Sequence, residues 1–257
     1  MEPHVGDLVN GMLAGSVASL SKLITLVEDE SAEVFKIMEM ISPHAKRAYC
    51  VGITGAPGVG KSTLTSVLAA IARRKGLSVG IVAADPSSPL HGGAVLGDRI
   101  RMEEHFLDSQ VFIRSMATRG SYGGIPKCVN HVVKLLDAFG KDIVIVETVG
   151  VGQTEIGITE VADVIVLVLS PESGDSIQFM KAGIIEVADV IVVNKADHGN
   201  AEGLVSELKA CLSMVTNSSK RDIAILTTQA LNNLGIEELY QVLENFDRTT
   251  KSHRRVS

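Results

Sequence analysis

The sequence predicts an α/β fold, a mainly parallel β-sheet with helices on both faces and an N-terminal helical extension. Three observations carry this. From Tyr49 onward, short apolar runs alternate with amphipathic stretches, the βαβ rhythm of a parallel sheet. The runs, such as Ile143-Val-Ile-Val146 and Val164-Ile-Val-Leu-Val168, are apolar at every position, as strands covered on both faces are. The first run leads straight into Gly55-Ala-Pro-Gly-Val-Gly-Lys-Ser62 and then a helical pattern. That spacing between strand and helix is the phosphate-binding loop of P-loop NTPases.

Three helices are expected within residues 1–45. Leu8, Val9, Met12 and Leu13 share one helical face, and Gly15 can end that helix. Ser16 or Ser19 can cap a second, which carries Leu20, Leu23, Ile24 and Val27. After the acidic break Glu28-Asp-Glu-Ser31, residues Val34, Ile37, Met38 and Ile41 form the stripe of a third, closed by Ser42-Pro43. These helices are expected to pack on the nucleotide domain as an extension, the alternative being a separate partner-binding module. Within the nucleotide domain, 46–247, strands are expected over 49–54, 78–84, 111–115, 142–147, 163–169, 189–194 and 222–228. Helices are expected over 61–75, 126–139, 176–186, 201–215 and 236–245. Residues 248–257, with Arg248, Lys251, Arg254 and Arg255, read as a polar tail.

A chain of 257 residues can form one large domain with a full core. Aromatics make up 4%, Trp is absent and the formal net charge is −6, so neither stacking platforms nor a basic face is offered to nucleic acid. No basic-then-apolar segment opens the chain, and no run approaches the ~18 apolar residues of a membrane span. A cytoplasmic protein without nucleic-acid or membrane partners is the expectation. Cys50, Cys128 and Cys211 are far apart and read as packing residues of a reducing cytosol or organelle matrix. The histidines show no metal-ligand spacing.

The glycines of the P-loop let the backbone N–H groups turn inward on phosphates, and the following helix adds its positive end. Pro57, Gly58, Val59, Gly60, Lys61, Ser62 and Thr63 are the residues expected around the phosphates. Lys61 can reach the β- and γ-phosphates, and the Ser62 hydroxyl can ligate Mg²⁺. Asn194-Lys195-Ala196-Asp197 follows a later apolar run and has the N-K-x-D form of guanine-nucleotide proteins. The Asp197 carboxylate can accept from guanine N1–H and N2–H₂, a donor pair that adenine lacks, so GTP is expected over ATP. Lys195 can lie along the base, and Asn194 can tie this loop to the P-loop. Thr228-Gln229-Ala230-Leu231 ends the last run, where backbone donors of Gln229, Ala230 and Leu231 can face guanine O6.

The run 142–146 ends in Glu147-Thr-Val-Gly150, where small GTPases place Asp-x-x-Gly. The longer Glu147 can still reach the Mg²⁺ shell, and the Gly150 N–H can bond the γ-phosphate. Val151 stands where Ras-type proteins carry the Gln that orients water, and Gln153 has a different geometry, so slow intrinsic hydrolysis with partner-dependent acceleration is expected. Asp85 and Asp98 can complete an oxygen shell with Ser62 and Glu147. The competing reading of Asp98 is a helix cap. The glycine-bearing loops Arg119-Gly-Ser-Tyr-Gly-Gly124 and Pro171-Glu-Ser-Gly-Asp175 are candidate switches or ordinary surface loops.

From Ser16 to Tyr240 the chain resembles the MeaB/ArgK-type GTPases, a family that includes the methylmalonic aciduria type A proteins. The resemblance rests on the P-loop, Asp85-Pro-Ser-Ser88, Gly92-Gly-Ala-Val-Leu-Gly-Asp98, Phe112-Ile-Arg-Ser115, Glu147-Thr-Val-Gly-Val-Gly-Gln-Thr-Glu155, Gly174-Asp175, Lys181-Ala-Gly183 and Asn194-Lys-Ala-Asp197. It implies a G-protein chaperone that gates adenosylcobalamin delivery to an acyl-CoA mutase of the methylmalonyl-CoA or isobutyryl-CoA type. The cobalamin stays with the mutase, and the adenosyltransferase is a second implied partner. Asp175 and Lys181 would lie in a third switch that answers to the mutase and, with Lys61 and Glu147, would form the catalytic set. Many members continue with a helical C-terminal arm that dimerises, whereas this chain stops soon after the nucleotide domain. A monomer, or a dimer that depends on nucleotide or partner, is therefore expected. The rivals are a nickel, cobalt or zinc insertion GTPase, which would need Cys or His clusters, a small-molecule P-loop kinase, which would lack N-K-x-D, and a regulatory GTPase with another target.

Overall fold

In a computed structural model of the chain, residues 4–85, 102–118, 125–150, 155–172, 184–215 and 223–246 are described. Among them, seven apolar runs pair into one sheet: β1 (Tyr49–Thr54), β2 (Val79–Asp85), β3 (Val111–Ala117), β4 (Ile143–Glu147), β5 (Val164–Leu169), β6 (Val190–Val193) and β7 (Ala224–Thr227). Their order is β3-β2-β4-β1-β5-β6-β7, and all six pairings are parallel. The first strand thus lies at the centre, and every loop leaving a carboxyl end emerges on one edge of the sheet.

Three strands begin one residue later than the sequence suggests, for a shared reason. Asp142, Asp163 and Asp189 stand just outside β4, β5 and β6. Each carboxylate takes an N–H from the neighbouring strand's start: Asp142 from Ser78 at 2.7 Å, Asp163 from Cys50 at 2.8 Å and Asp189 from Ile165 at 2.9 Å. β2 likewise starts after Ser78, whose hydroxyl also donates to Asp142. β7 is shorter than expected and only half-buried, as suits the sheet's edge.

Alternation along the strands divides the core in two. Tyr49, Val51 and Ile53 face one layer, built with α4 (Lys61–Arg74), α7 (Ala201–Val215) and α8 (Ile236–Asn245). Cys50, Val82, Val144 and Ile165 face the other, built with α1 (Val5–Leu13), α2 (Val17–Glu28), α3 (Val34–Ile41) and α5 (Val129–Phe139). One short turn, α6 (Ile184–Val187), is described from the stretch where a helix over 176–186 is expected; residues 176–183 lie outside the described residues.

The N-terminal helices form as their sequence directs. Ser16 caps α2 by accepting from Ser19 N at 3.2 Å, and Gly15 takes the left-handed conformation (φ +94°) between α1 and α2. Leu20, Leu23 and Ile24 are fully buried and share their cluster with Leu135 and Leu136 of α5. Polar ties reinforce the seam. The Asp137 carboxylate of α5 accepts from the N–H groups of Lys46 and Ala48 at 3.1 and 2.7 Å, and Arg114 of β3 pairs with Glu28 and donates to Thr25. The helices and the sheet therefore share one core layer. Truncating Leu23 to Ala is expected to cost about 3 kcal/mol, as a fully buried leucine does. Urea unfolding followed by circular dichroism and by a probe on α4 should give one coincident transition; a separate early transition of the helices would contradict the shared core.

Candidate functional site

The site gathers where β1, β4, β6 and β7 end. The register sets Glu147, the last residue of β4, beside Ile53 of β1 and Ala83 of β2, so its carboxylate stands under the P-loop. Ser62, in the first turn of α4, donates to Glu147 Oε1 at 2.7 Å, and Thr65, three residues on, donates to Oε2 at 3.2 Å. Glu147 is 3% exposed. The extra methylene of Glu over Asp spans the distance from strand end to helix. Asp85 ends β2 and is also buried. Three of the four residues expected in the metal shell, Ser62, Asp85 and Glu147, thus come from the P-loop helix and from two adjacent strand ends; Asp98 lies outside the described residues. Their donors are hard oxygens, the chemistry that Mg²⁺ accepts. Among the described residues, no group of three or more His, Cys, Asp or Glu side chains is arranged to hold a metal ion.

Lys61 is buried, and its ammonium folds back onto the loop, donating to the carbonyls of Gly55 and Ala56 at 3.0 and 3.1 Å. Gly150 lies against the same point. A Cβ there would stand 2.6 Å from both Lys61 Nζ and Gly55 O, and its φ of +83° favours glycine independently. The chain after β4 therefore covers the phosphate end of the loop.

Asn194 joins the N-K-x-D loop to the P-loop. Its Nδ2 donates to Val59 O in the P-loop at 2.9 Å, as the sequence suggested. Its Oδ1 accepts from Thr228 Oγ1 and from Ala230 N, each at 3.0 Å. The Ala230 N–H, expected to face guanine O6, is thus engaged within the protein. Gln229 is fastened through backbone bonds with Leu234, and Leu231 points its side chain outward, 84% exposed. Gly60 has φ +98°, and a Cβ there would lie 2.4 Å from Asn194 Nδ2.

Lys195, at φ +56°, extends to Glu172 Oε2 at 3.4 Å, and His198 contacts both Glu172 Oε1 at 2.9 Å and Asp197 Oδ2 at 3.4 Å. The hydrogen bond from His198, aided by Lys195, holds the Glu172 carboxyl below its ordinary range. Asp197 is exposed.

The sequence reading missed Thr65, Thr228 and the Glu172–His198 pair. Thr65 had a signal, since i+3 from Ser62 lies on the same helical face. Thr228 and Glu172 had none, because their partners are brought in by strands far away in sequence. Val151, Gln153, Asp175, Lys181 and the 119–124 loop lie outside the described residues. Replacing Asn194 by Ala is expected to strip three buried partners, lowering stability by about 3 kcal/mol. Nucleotide affinity should fall at least about tenfold with it. Urea denaturation and titration with a fluorescent guanine nucleotide measure both; unchanged affinity would deny the side chain its joining role.

The comparisons with known proteins converge. The family model of the methylmalonyl Co-A mutase-associated GTPase MeaB matches residues 20–256. A Pyrococcus abyssi protein named as a GTPase is 46% identical over 244 residues, 93% of this chain and 75% of that protein. A methylmalonic aciduria type A homolog, mitochondrial, of Caenorhabditis elegans is 38% identical over 211 residues, 76% of this chain and 53% of that protein. The crystal structure of a LAO/AO transport system kinase matches with a TM-score of 0.71 at 28% identity, covering 99% of this chain and 78% of that one. HypB from Helicobacter pylori, solved with nickel, shares the fold with a TM-score of 0.58 at 20% identity, covering 83% of this chain and 93% of that one. The chain belongs to the MeaB family of methylmalonyl-CoA mutase-associated GTPases.

Proposed function

We propose that the protein binds GTP with Mg²⁺, hydrolyses it to GDP and phosphate, and uses that cycle to gate adenosylcobalamin delivery to an acyl-CoA mutase and to protect or reactivate that mutase. The observation that carries the nucleotide half is the Asn194 side chain, which holds the N-K-x-D loop and the P-loop at one fixed separation. The mutase half is supported by the family and by the name of the C. elegans relative. The mutase is of the methylmalonyl-CoA or isobutyryl-CoA type, and the adenosyltransferase is a further candidate partner. In this reading residues 46–247 form the GTPase domain, 1–45 its extension and 248–257 a tail.

Each residue then has a task. The backbone of Pro57 to Thr63 cradles the phosphates. Lys61 exchanges the Gly55 and Ala56 carbonyls for β- and γ-phosphate oxygens, and the Gly150 N–H meets the γ-phosphate. Ser62, Glu147 and Asp85, directly or through water, would hold Mg²⁺, which supplies charge neutralisation at the phosphates. Thr65 keeps Glu147 oriented toward Ser62. Lys195 lies along the base, Asp197 reads guanine N1–H and N2–H₂, and the Gln229–Leu231 loop lies beside O6. Asp175, Lys181 and Asp98 keep the roles that the resemblance or the sequence implies. Hydrolysis is slow alone and rises when the mutase orders the loops around the phosphates.

Two measurements test this. Asp197→Asn reverses one donor–acceptor position, so GTP affinity should drop about a hundredfold or more while xanthosine triphosphate binds better than to the wild type. Retained guanine preference would remove Asp197 from the base site. GTP turnover should accelerate at least about tenfold with an adenosylcobalamin-dependent acyl-CoA mutase. No acceleration, together with no effect on cofactor loading, would end the chaperone reading and leave GTP binding intact.

A further inference from the structure

The loop after β6, which carries the N-K-x-D residues, packs on the chain that leaves β5. A Cβ on Gly199 would stand 3.1 Å from Pro171 Cβ, and the loop closes its own turn with the His198 N–H on Lys195 O at 2.9 Å. Across this contact Glu172 sets one carboxylate oxygen 2.9 Å from His198 Nδ1. The second ring nitrogen, Nε2, stands 3.4 Å from Asp197 Oδ2. Both nitrogens of one imidazole therefore face carboxylates. Lys195 Nζ, 3.4 Å from the other Glu172 oxygen, is the further charged group beside them among the described residues.

We propose that His198, braced by Glu172, is a positioning residue for Asp197 and holds its carboxylate when the imidazole carries both protons. The proposal rests on the reading of Asp197 as the acceptor of guanine N1–H and N2–H₂. A neutral imidazole has a single N–H. The 2.9 Å contact claims it for Nδ1, which leaves the Nε2 lone pair facing an anionic oxygen. A second proton turns that face into a donor. A carboxylate has about four lone-pair positions, so Asp197 can meet His198 and still offer one position on each oxygen to the base. Ordering that carboxylate before the nucleotide arrives lowers the entropy cost of binding. The hydrogen bond from His198 holds the Glu172 carboxyl below its ordinary range, so the brace stays ionised at neutral and mildly acidic pH. Histidine changes charge between about pH 5 and about pH 8, so the hold is present at the acidic end of that window and is lost as pH rises through it. Glu172, Asp197 and His198 are exposed, which makes the effect a few-fold one.

The full chain is titrated with GDP and with inosine diphosphate, each with Mg²⁺, at about pH 5.5 and about pH 7.5. Inosine lacks the N2–H₂ donor, so the ratio of the two affinities reports how well Asp197 is placed. The two nucleotides share their phosphates, so phosphate titration cancels in the ratio. The wild-type preference for GDP should fall about threefold from the lower to the higher pH. His198→Ala, at an exposed position, should melt as the wild type does and hold the lower preference at both pH values. Glu172→Ala frees the ring and should bring the preference at the lower pH toward that same value. A wild-type preference equal at both pH values, a fall that survives in His198→Ala, or a preference untouched by Glu172→Ala would each overturn the proposal. Asp197→Asn separates it from the reading beneath it. Loss of the GDP preference in that variant, with His198→Ala behaving as the wild type, would end the positioning role alone; a preference kept in Asp197→Asn would end the guanine reading as well.

Discussion

A single buried amide joins the loops of the site. From the loop after β6, Asn194 uses one N–H and both lone pairs on two further loops, which follow β1 and β7. The loops after β6 and β7 are also tied by the Ala196 N–H on Thr228 O at 3.0 Å, and the amide adds the P-loop to them. The bonds fix the distance between the P-loop and the N-K-x-D loop, the elements proposed to hold phosphates and to read the base. Gly60 belongs to the same constraint, because a side chain there would displace the amide. Low dielectric strengthens these bonds and makes each unmade one costly, so the three loops order together.

At the phosphate end Glu147 has the corresponding position. Its two oxygens accept from Ser62 and Thr65, one turn of α4 apart, so a strand end and a helix start are locked in register. The residues after β4 then pass directly over Lys61, where Gly150 leaves room for them. A change in what Lys61 holds is therefore felt in the chain that follows β4.

Much of the fold was legible because the central strands are nearly continuous apolar runs and the helices are amphipathic. The N-terminal helices were readable down to Ser16 and Gly15, whose roles are local. Strand starts were misread by one residue at Asp142, Asp163 and Asp189. A carboxylate that serves the neighbouring strand looks, in sequence, like the first residue of its own. The motif residues were readable as a set, since a P-loop and N-K-x-D each follow an apolar run at the right spacing. The Ala230 amide was assigned outward and instead turns to Asn194, because that choice depends on where β6 and β7 sit side by side.

The sequence alone determined the parallel α/β class, the P-loop and N-K-x-D motifs and the family, since each rests on local pattern or short-range spacing. Only the tertiary structure decided which atoms engage one another. It set Thr65 on Glu147, Thr228 on Asn194 and Glu172 between Lys195 and His198. The reason is geometric. These partners lie on separate elements, 23 to 82 residues apart in the chain, and hydrogen bonds form between neighbours in space.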